Sequence, residues 1–183
     1  SDIKYIFCLK SYKDKIQSFI NNNWKKDHIL SKSAALLDWQ YMNKTCNYNF
    51  VLALENNNII GLLGFIPPSR YSNNLSDNSI WLALWFIKKN ISYPGLGIGM
   101  IAFLKKEKNL KKIYTIGLSE DSINIYKALK YNVGYLKHFV LVNSNIKKFN
   151  ILKLQDRKII KTHAILENDC LLEEINRKDF LKN

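Results

Sequence analysis

Residues 80–87 read Ile-Trp-Leu-Ala-Leu-Trp-Phe-Ile, eight apolar positions in a row, and soon afterwards the chain passes through Gly95-Leu96-Gly97-Ile98-Gly99. A run this short cannot span a bilayer, and its lack of alternation is expected of a central strand covered on both faces. Two similar runs precede it, residues 49–54 and 59–66, separated by Glu55-Asn56-Asn57-Asn58 and closed by Pro67-Pro68. This spacing predicts a hairpin of two buried strands, and three adjacent antiparallel strands are the simplest arrangement of the set.

Helices are expected around this sheet. Ser11 followed by Asp14, with Tyr12, Ile16, Phe19 and Ile20 at helical spacing, predicts a capped amphipathic helix ending near Asn21-Asn22-Asn23. A shorter helix is expected over 33–41. Beyond the glycines, Ile98, Ile101, Ala102 and Leu104 fall on one side of a helix whose other side carries Lys105, Lys106 and Lys108. Residues 113–118 then read as a strand, 122–130 as a helix with Ile125, Ala128 and Leu129 inward, and 136–142 as a strand. The predicted order is α-α-β-β-β-α-β-α-β. Further on, 151–154 and 159–166 read as short strands and 169–181 as a charged helix, so the expected division is a domain over 1–150 and an extension over 151–183. That extension either completes the sheet or leads into further protein.

At 183 residues, with 47% hydrophobic and 13% aromatic residues, the chain has enough apolar surface to fold as one core. No apolar stretch is long enough for a membrane span and residues 1–10 lack a secretory signal pattern, so a cytoplasmic protein is expected. Cys8, Cys46 and Cys170 are odd in number and widely spaced, which suggests buried thiols and neither disulfides nor a metal site. The net charge of +13 comes from 28 Lys and Arg against 15 Asp and Glu. The cations are scattered, mostly as Lys pairs, without an Arg-rich run or a nucleic-acid motif, so nucleic acid is not the expected partner. A phosphate-bearing small molecule suits such a surface better.

The turn at residues 95–99 is the feature with chemical content. Glycines opening a helix leave main-chain N–H groups exposed at the positive end of the helix dipole, which makes an anion socket. Alone, the pattern fits a plain tight turn equally well. It lacks the Gly-Lys-Ser/Thr of a P-loop, and no early βαβ unit supports a dinucleotide fold.

Taken together, the element order, the turn Pro94-Gly95-Leu96-Gly97-Ile98-Gly99 and the later Ser119-Glu120-Asp121-Ser122-Ile123-Asn124-Ile125-Tyr126-Lys127 resemble the GNAT superfamily of acyl-CoA-dependent N-acetyltransferases over residues 3–143. The resemblance implies an α/β (α+β) fold with a central, mostly antiparallel mixed sheet, one splayed pair of strands and helices on both faces. It implies acetyl-CoA as cofactor, its diphosphate on Gly95, Leu96, Gly97, Ile98 and Gly99. Pro94 stands where the family has Arg or Gln. The strand 80–87 would splay from 113–118, and the pantetheine arm would pair with backbone near Phe86 and Ile87. Ser119 and Ser122 fall where the family has Asn and Ala, and Tyr126 matches the tyrosine that protonates the departing thiolate. A phenol of pKa about 10 is protonated at neutral pH and can serve as that acid.

An amine arriving as ammonium must lose a proton before it attacks, yet residues 80–87 contain no carboxylate. Asp38, Glu55, Asp77, His28 and His138 are the candidates, with ordered water as the alternative. Acceptor recognition is expected from 28–41 and 67–81, where Asp38, Trp39, Arg70 and Trp81 stand out: aromatic faces suit sugar rings and Arg suits phosphate or carboxylate.

The stretches HILSKSAALLDWQY and NFVLALENNNIIGLLGFIPPSRY are similar to a GNAT subgroup of surface-polysaccharide biosynthesis, which implies an amino sugar as the amine acceptor. Members of that subgroup are longer, so the resemblance also implies that residues 1–183 are an N-terminal portion with a second domain as partner; a homodimer is the other partner expected. Two functions are therefore expected: an acetyl-CoA-dependent N-acetyltransferase acting on a small primary amine, or a weakly active or non-catalytic coenzyme A-binding half of a tandem protein.

Overall fold

A computed structural model describes residues 2–91 and 93–136. The strands expected at 136–142, 151–154 and 159–166, the helix at 169–181, the boundary at 150, and His138 and Cys170 lie outside the described residues. Within the unit Ser1–Val133, a five-stranded sheet runs β1 (Ile3–Cys8), β2 (Tyr48–Glu55), β3 (Asn58–Ile66), β4 (Ser79–Ile87) and β5 (Lys112–Thr115), in that spatial order. The first four strands are mutually antiparallel and β5 joins β4 in parallel. This is the mixed, mostly antiparallel sheet that the sequence implies.

Strand β1 is not expected from the sequence. It pairs with β2 from Ile3 opposite Glu55 to Phe7 opposite Val51. Its arrival gives β2 neighbours on both edges, and every β2 residue from Tyr48 to Leu54 is buried.

Helices cover both faces. On one, α1 (Lys13–Phe19), α2 (Ile29–Lys32) and α3 (Ala34–Tyr41) bury Ile16, Phe19, Leu30, Leu37 and Tyr41 against Phe50, Leu52, Leu54, Leu62 and Leu84. On the other, α4 (Leu96–Glu107) and α5 (Glu120–Ala128) bury Leu96, Met100, Ile101, Leu104 and Tyr126 against Val51, Ala53, Leu63, Phe65, Ile80 and Leu82.

The expected cap at Ser11 does not form. Lys10–Tyr12 is a 3-10 turn, and no side chain caps α1, whose N-cap is Tyr12. After α1 the helix widens over Ile20–Trp24, with Lys25 N–H donating to Ile20 O at 3.0 Å, which carries the helix past the Asn run to Trp24. By contrast, Ser33 does cap α3, accepting Leu36 N–H at 3.1 Å. Two predicted helix faces also rotate. On α4, Met100 is fully buried while Ile98 is 42% exposed and Ala102 is exposed. On α5 the buried residue is Tyr126, not Ala128. Cys8 is buried, its thiol pushed up to about 12 by desolvation, but Cys46 is exposed.

Strand β4 is not covered on both faces as its apolar run suggested. Burial alternates, with Ile80, Leu82 and Leu84 inside and Trp81 and Ala83 exposed. The register with β3 slips by one residue: Leu82 faces Phe65 while Leu84 faces Gly64, so Ala83 is the extra residue of a β-bulge. The bulge exchanges faces. Ile80 and Leu82 point toward α4, whereas Leu84 and Phe86 point toward α1, with Trp85 and Ile87 on the α4 side.

Close helix packing on this sheet requires a missing side chain. A Cβ on Gly64 would lie 2.8 Å from ring atoms of both Phe50 and Tyr41. Gly64→Ala is expected to lower stability by about 1–3 kcal/mol, the cost of overpacking a filled core, read as a fall in the thermal unfolding midpoint.

Candidate functional site

The β4–β5 pairing covers only Ser79 to Leu82 against Lys112 to Thr115. The last five residues of β4, from Ala83 onward, therefore lack a ladder partner on that side, an open edge of roughly 16 Å. Lys88 N–H donates to Ile60 O at 2.9 Å. By the alternation of an antiparallel ladder, Phe86 and Leu84 also turn their main chains to β3, and Trp85 and Ile87 present theirs to the open edge. Of the two residues expected to pair with an arm, Ile87 thus has its main chain on the open edge and Phe86 turns its own to β3. The Phe86 ring packs instead on Phe19 and Trp24, at 5.9 and 6.2 Å between centroids.

The glycine turn lies at the end of that edge. Gly95, the N-cap of α4, has φ +81° and open space around its Cβ position, so glycine is there for its left-handed backbone. Gly97 and Gly99 are glycine for another reason: both lie in the first turn of α4 against the sheet. A Cβ on Gly97 would come within 2.5 Å of Trp85 Cζ2, and one on Gly99 would strike the Tyr5 hydroxyl. The missing side chains let the helix settle onto Trp85 and Tyr5.

Of the turn's amides, Leu96 N–H already donates to Tyr93 O at 3.2 Å and Gly99 N–H to Gly95 O at 2.9 Å. Gly97 and Ile98 occupy the second and third helical positions, whose N–H groups have no intrahelical acceptor; Gly97 is buried, whereas Ile98 is 42% exposed. The anion socket is thus narrower than five residues. Tyr93 holds the approach, its hydroxyl donating to Glu55 at 2.7 Å.

Tyr126 faces this region from α5. Its ring meets Trp85 edge-on at 5.7 Å and Tyr131 at 5.5 Å. It is 2% exposed, so it is more deeply set than its place off the predicted apolar face implied. Burial, with a smaller contribution from Tyr131, pushes its hydroxyl up to about 12. Ser119 caps α5, accepting Ser122 N–H at 3.4 Å, and the two hydroxyls are 2.8 Å apart. Both serines are thus engaged in holding the helix start.

The described base candidates are all engaged. Asp38 accepts from Lys13 Nζ at 2.7 Å and from the Tyr48 hydroxyl, and these bonds hold its carboxyl below the usual range. Asp77 accepts the Ser69 amide at 3.0 Å and hydroxyl at 2.6 Å, closing the loop before β4. Glu55 holds Tyr93. His28 caps α2, its Nδ1 accepting Leu30 N–H at 3.2 Å, which assigns its proton to Nε2. Burial and nearby Lys25 lower its pKa, keeping the ring neutral.

The expected acceptor residues separate into two pairs. Arg70 lies 5.8 Å over the exposed Trp39 ring, donates through Nη1 to Met42 O at 3.1 Å, and borders a cavity of about 550 Å³ with Lys44, Asp77 and Lys108. Trp81 stacks on Tyr114 of β5 at 5.1 Å, both rings about 40% exposed on the face opposite α4. Asp38 joins neither pair. Two site neighbours have no individual signal in the sequence: Trp85, hidden in an apolar run, and Trp24, hidden beyond the Asn run, where it meets His28 at 4.5 Å.

Helix-start amides without an intrahelical acceptor, beside an open strand edge, form a donor set suited to a diphosphate continued by an amide-bearing arm, which is the chemistry of coenzyme A. No protein-family model matches the sequence, and no curated protein is similar to it. Solved structures do share the fold. AAC(6')-Iy in complex with the bisubstrate analog CoA-S-monomethyl-acetylneamine superposes with a TM-score of 0.55 over 78% of this chain and 99% of its own, at 12% identity. An aminoglycoside acetyltransferase from an uncultured soil metagenomic sample, in complex with trehalose, gives 0.53 over 77% and 96%, at 17% identity. The ribosomal-protein-alanine N-acetyltransferase of Brucella melitensis biovar Abortus 2308 gives 0.51 over 78% and 100%, at 10% identity. The fold is that of acetyltransferases.

The Asp38 cluster gives a test. Its lowered carboxyl pKa stabilises the fold above the unfolded-state value, and that stability is lost as pH falls through the folded value. Asp38→Asn is therefore expected to unfold at a lower temperature than the parent at pH 7, with the gap closing as pH drops below the carboxylate range.

Proposed function

We propose that the chain is an N-acetyltransferase that uses acetyl-CoA to acetylate a primary amine of a small molecule. The observation that carries this reading is the open edge of β4, which ends at the start of α4, where Gly97 and Ile98 have N–H groups without an intrahelical acceptor. In this reading those two amides hold the diphosphate, with Gly95 shaping the turn, and the main chains of Trp85 and Ile87 pair with the arm. Acetyl-CoA supplies an activated acetyl group whose C–S bond breaks as the C–N bond forms. Tyr126 holds a proton at its hydroxyl for the departing sulfur, and the elevated pKa keeps that proton in place throughout the neutral range. The amine's proton leaves to water, because Asp38, Glu55, Asp77 and His28 are committed to partners.

For the acceptor we infer an amine carried on a sugar-like ring. The exposed Trp81–Tyr114 stack and the Trp39–Arg70 pair offer flat aromatic surface with a cation beside it. That two neighbours of this fold are described with an acetylneamine analogue and with trehalose is consistent with this choice.

Ile98→Pro tests the socket without disturbing the helix, since proline is tolerated in the first turn, where its missing N–H has no helical partner. The variant is expected to keep its unfolding midpoint within a few degrees and to bind acetyl-CoA roughly tenfold more weakly by calorimetry, the loss of one charge-assisted hydrogen bond. Unchanged affinity removes the socket. If the parent protein binds acetyl-CoA but transfers no acetyl group to any amine, the non-catalytic coenzyme A-binding half takes its place.

Tyr126→Phe is expected to lower kcat by roughly 10²-fold or more while leaving acetyl-CoA affinity unchanged, as for loss of a general acid. With its pKa about 12, the parent should show no alkaline fall in kcat below about pH 11. An alkaline limb near pH 8–9, kept in the variant, would assign the titration to another group.

A further inference from the structure

Among the described residues, one buried side-chain polar atom has no hydrogen-bond partner: the indole Nε1 of Trp85. A shielded donor without an acceptor costs the full desolvation of its N–H, so such groups are rare and call for an explanation. Its position supplies one. Trp85 lies on the unpaired half of β4 with its side chain on the α4 side, edge-on to Tyr126. The ring atoms nearest the Cβ position of Gly97 are Cζ2 at 2.5 Å and Cε2 at 2.9 Å, and Cε2 is bonded to Nε1. The orphan N–H is therefore carried on the ring edge beneath the glycine turn, in an indole that also meets the Tyr126 ring.

We propose that Trp85 is a ligand-positioning residue whose indole N–H donates to an oxygen of coenzyme A where the arm leaves the diphosphate, either a phosphate oxygen or the first amide carbonyl. This inference rests on the reading that the turn and the open edge bind coenzyme A. In the free chain Gly97 packs over the indole, so the turn must shift as the ligand's oxygen enters. The bound oxygen then satisfies the donor, so the cost carried by the free protein is relieved on binding. Trp85 would act through both its main chain and its side chain, fixing the arm at one point along the strand and from one side.

The test is a 15N-indole spectrum of the full chain, whose four tryptophans give four signals, the Trp85 signal being the one lost in Trp85→Phe. Coenzyme A is titrated in with calorimetry run in parallel. The expected result is a downfield shift of the Trp85 indole proton with slowed solvent exchange. Replacing Trp85 by its benzothiophene analogue, which keeps the ring shape and lacks the N–H, should weaken binding roughly 2- to 10-fold. Pyrophosphate and pantetheine titrated separately identify the acceptor: a shift with the first points to a phosphate oxygen, with the second to the arm carbonyl. Calorimetric binding with a stationary Trp85 signal overturns this inference and leaves the proposed function standing. Absence of binding overturns both.

Discussion

One extra residue in one strand organises this molecule. Because Ala83 has no counterpart on β3, the inward and outward positions of β4 exchange after Leu82, and the parallel pairing with β5 ends at that same point. Main-chain polar groups are costly to bury without partners, so an edge left open over five residues must face water or a ligand. The bulge also aims Trp85 at the underside of the glycine turn and Phe86 at Trp24. Without it the run would continue as a central strand, with Trp85 turned toward α1 and no gap beside α5.

The elements proposed to hold the cofactor are largely backbone. Free amides at a helix start and an open strand edge require small residues, one left-handed turn and a bulge, and they place few demands on side-chain identity. A scaffold of this kind can keep its geometry while its sequence drifts, which accounts for solved structures of the same fold at 10–17% identity over nearly their whole length. The side chains proposed to meet the acceptor are less constrained in this way. Trp39, Arg70, Trp81 and Tyr114 meet as two separate pairs through contacts between distant segments.

The charged and polar residues that attract notice as catalysts turn out to be joinery. Asp38 ties α1 to β2 through Lys13 and Tyr48, Asp77 closes a loop, Glu55 anchors the approach to the glycines, and His28 caps a helix. Each uses an acceptor to satisfy a donor that would otherwise lack one, and these roles depend on partners up to 38 residues away. Tyr126 has no such bond among the described residues and is buried against the rings of Trp85 and Tyr131.

Sequence by itself determined the local elements: three strands from apolar runs bounded by Asn and Pro clusters, the short helix α3, and a helix beginning at the glycines, because turn chemistry and side-chain periodicity act over a few residues. It left β1 unseen, since residues 3–8 alternate poorly and become a strand only by pairing with β2. It also missed the rotation of α4 and α5, whose buried faces are chosen by the sheet beneath them. The bulge, the open edge and the roles of Gly97 and Gly99 were decided by tertiary structure alone, because each is a relation between strands or between helix and sheet. Such a relation depends on which distant atoms share the same few ångströms, and residue order along the chain does not carry that information.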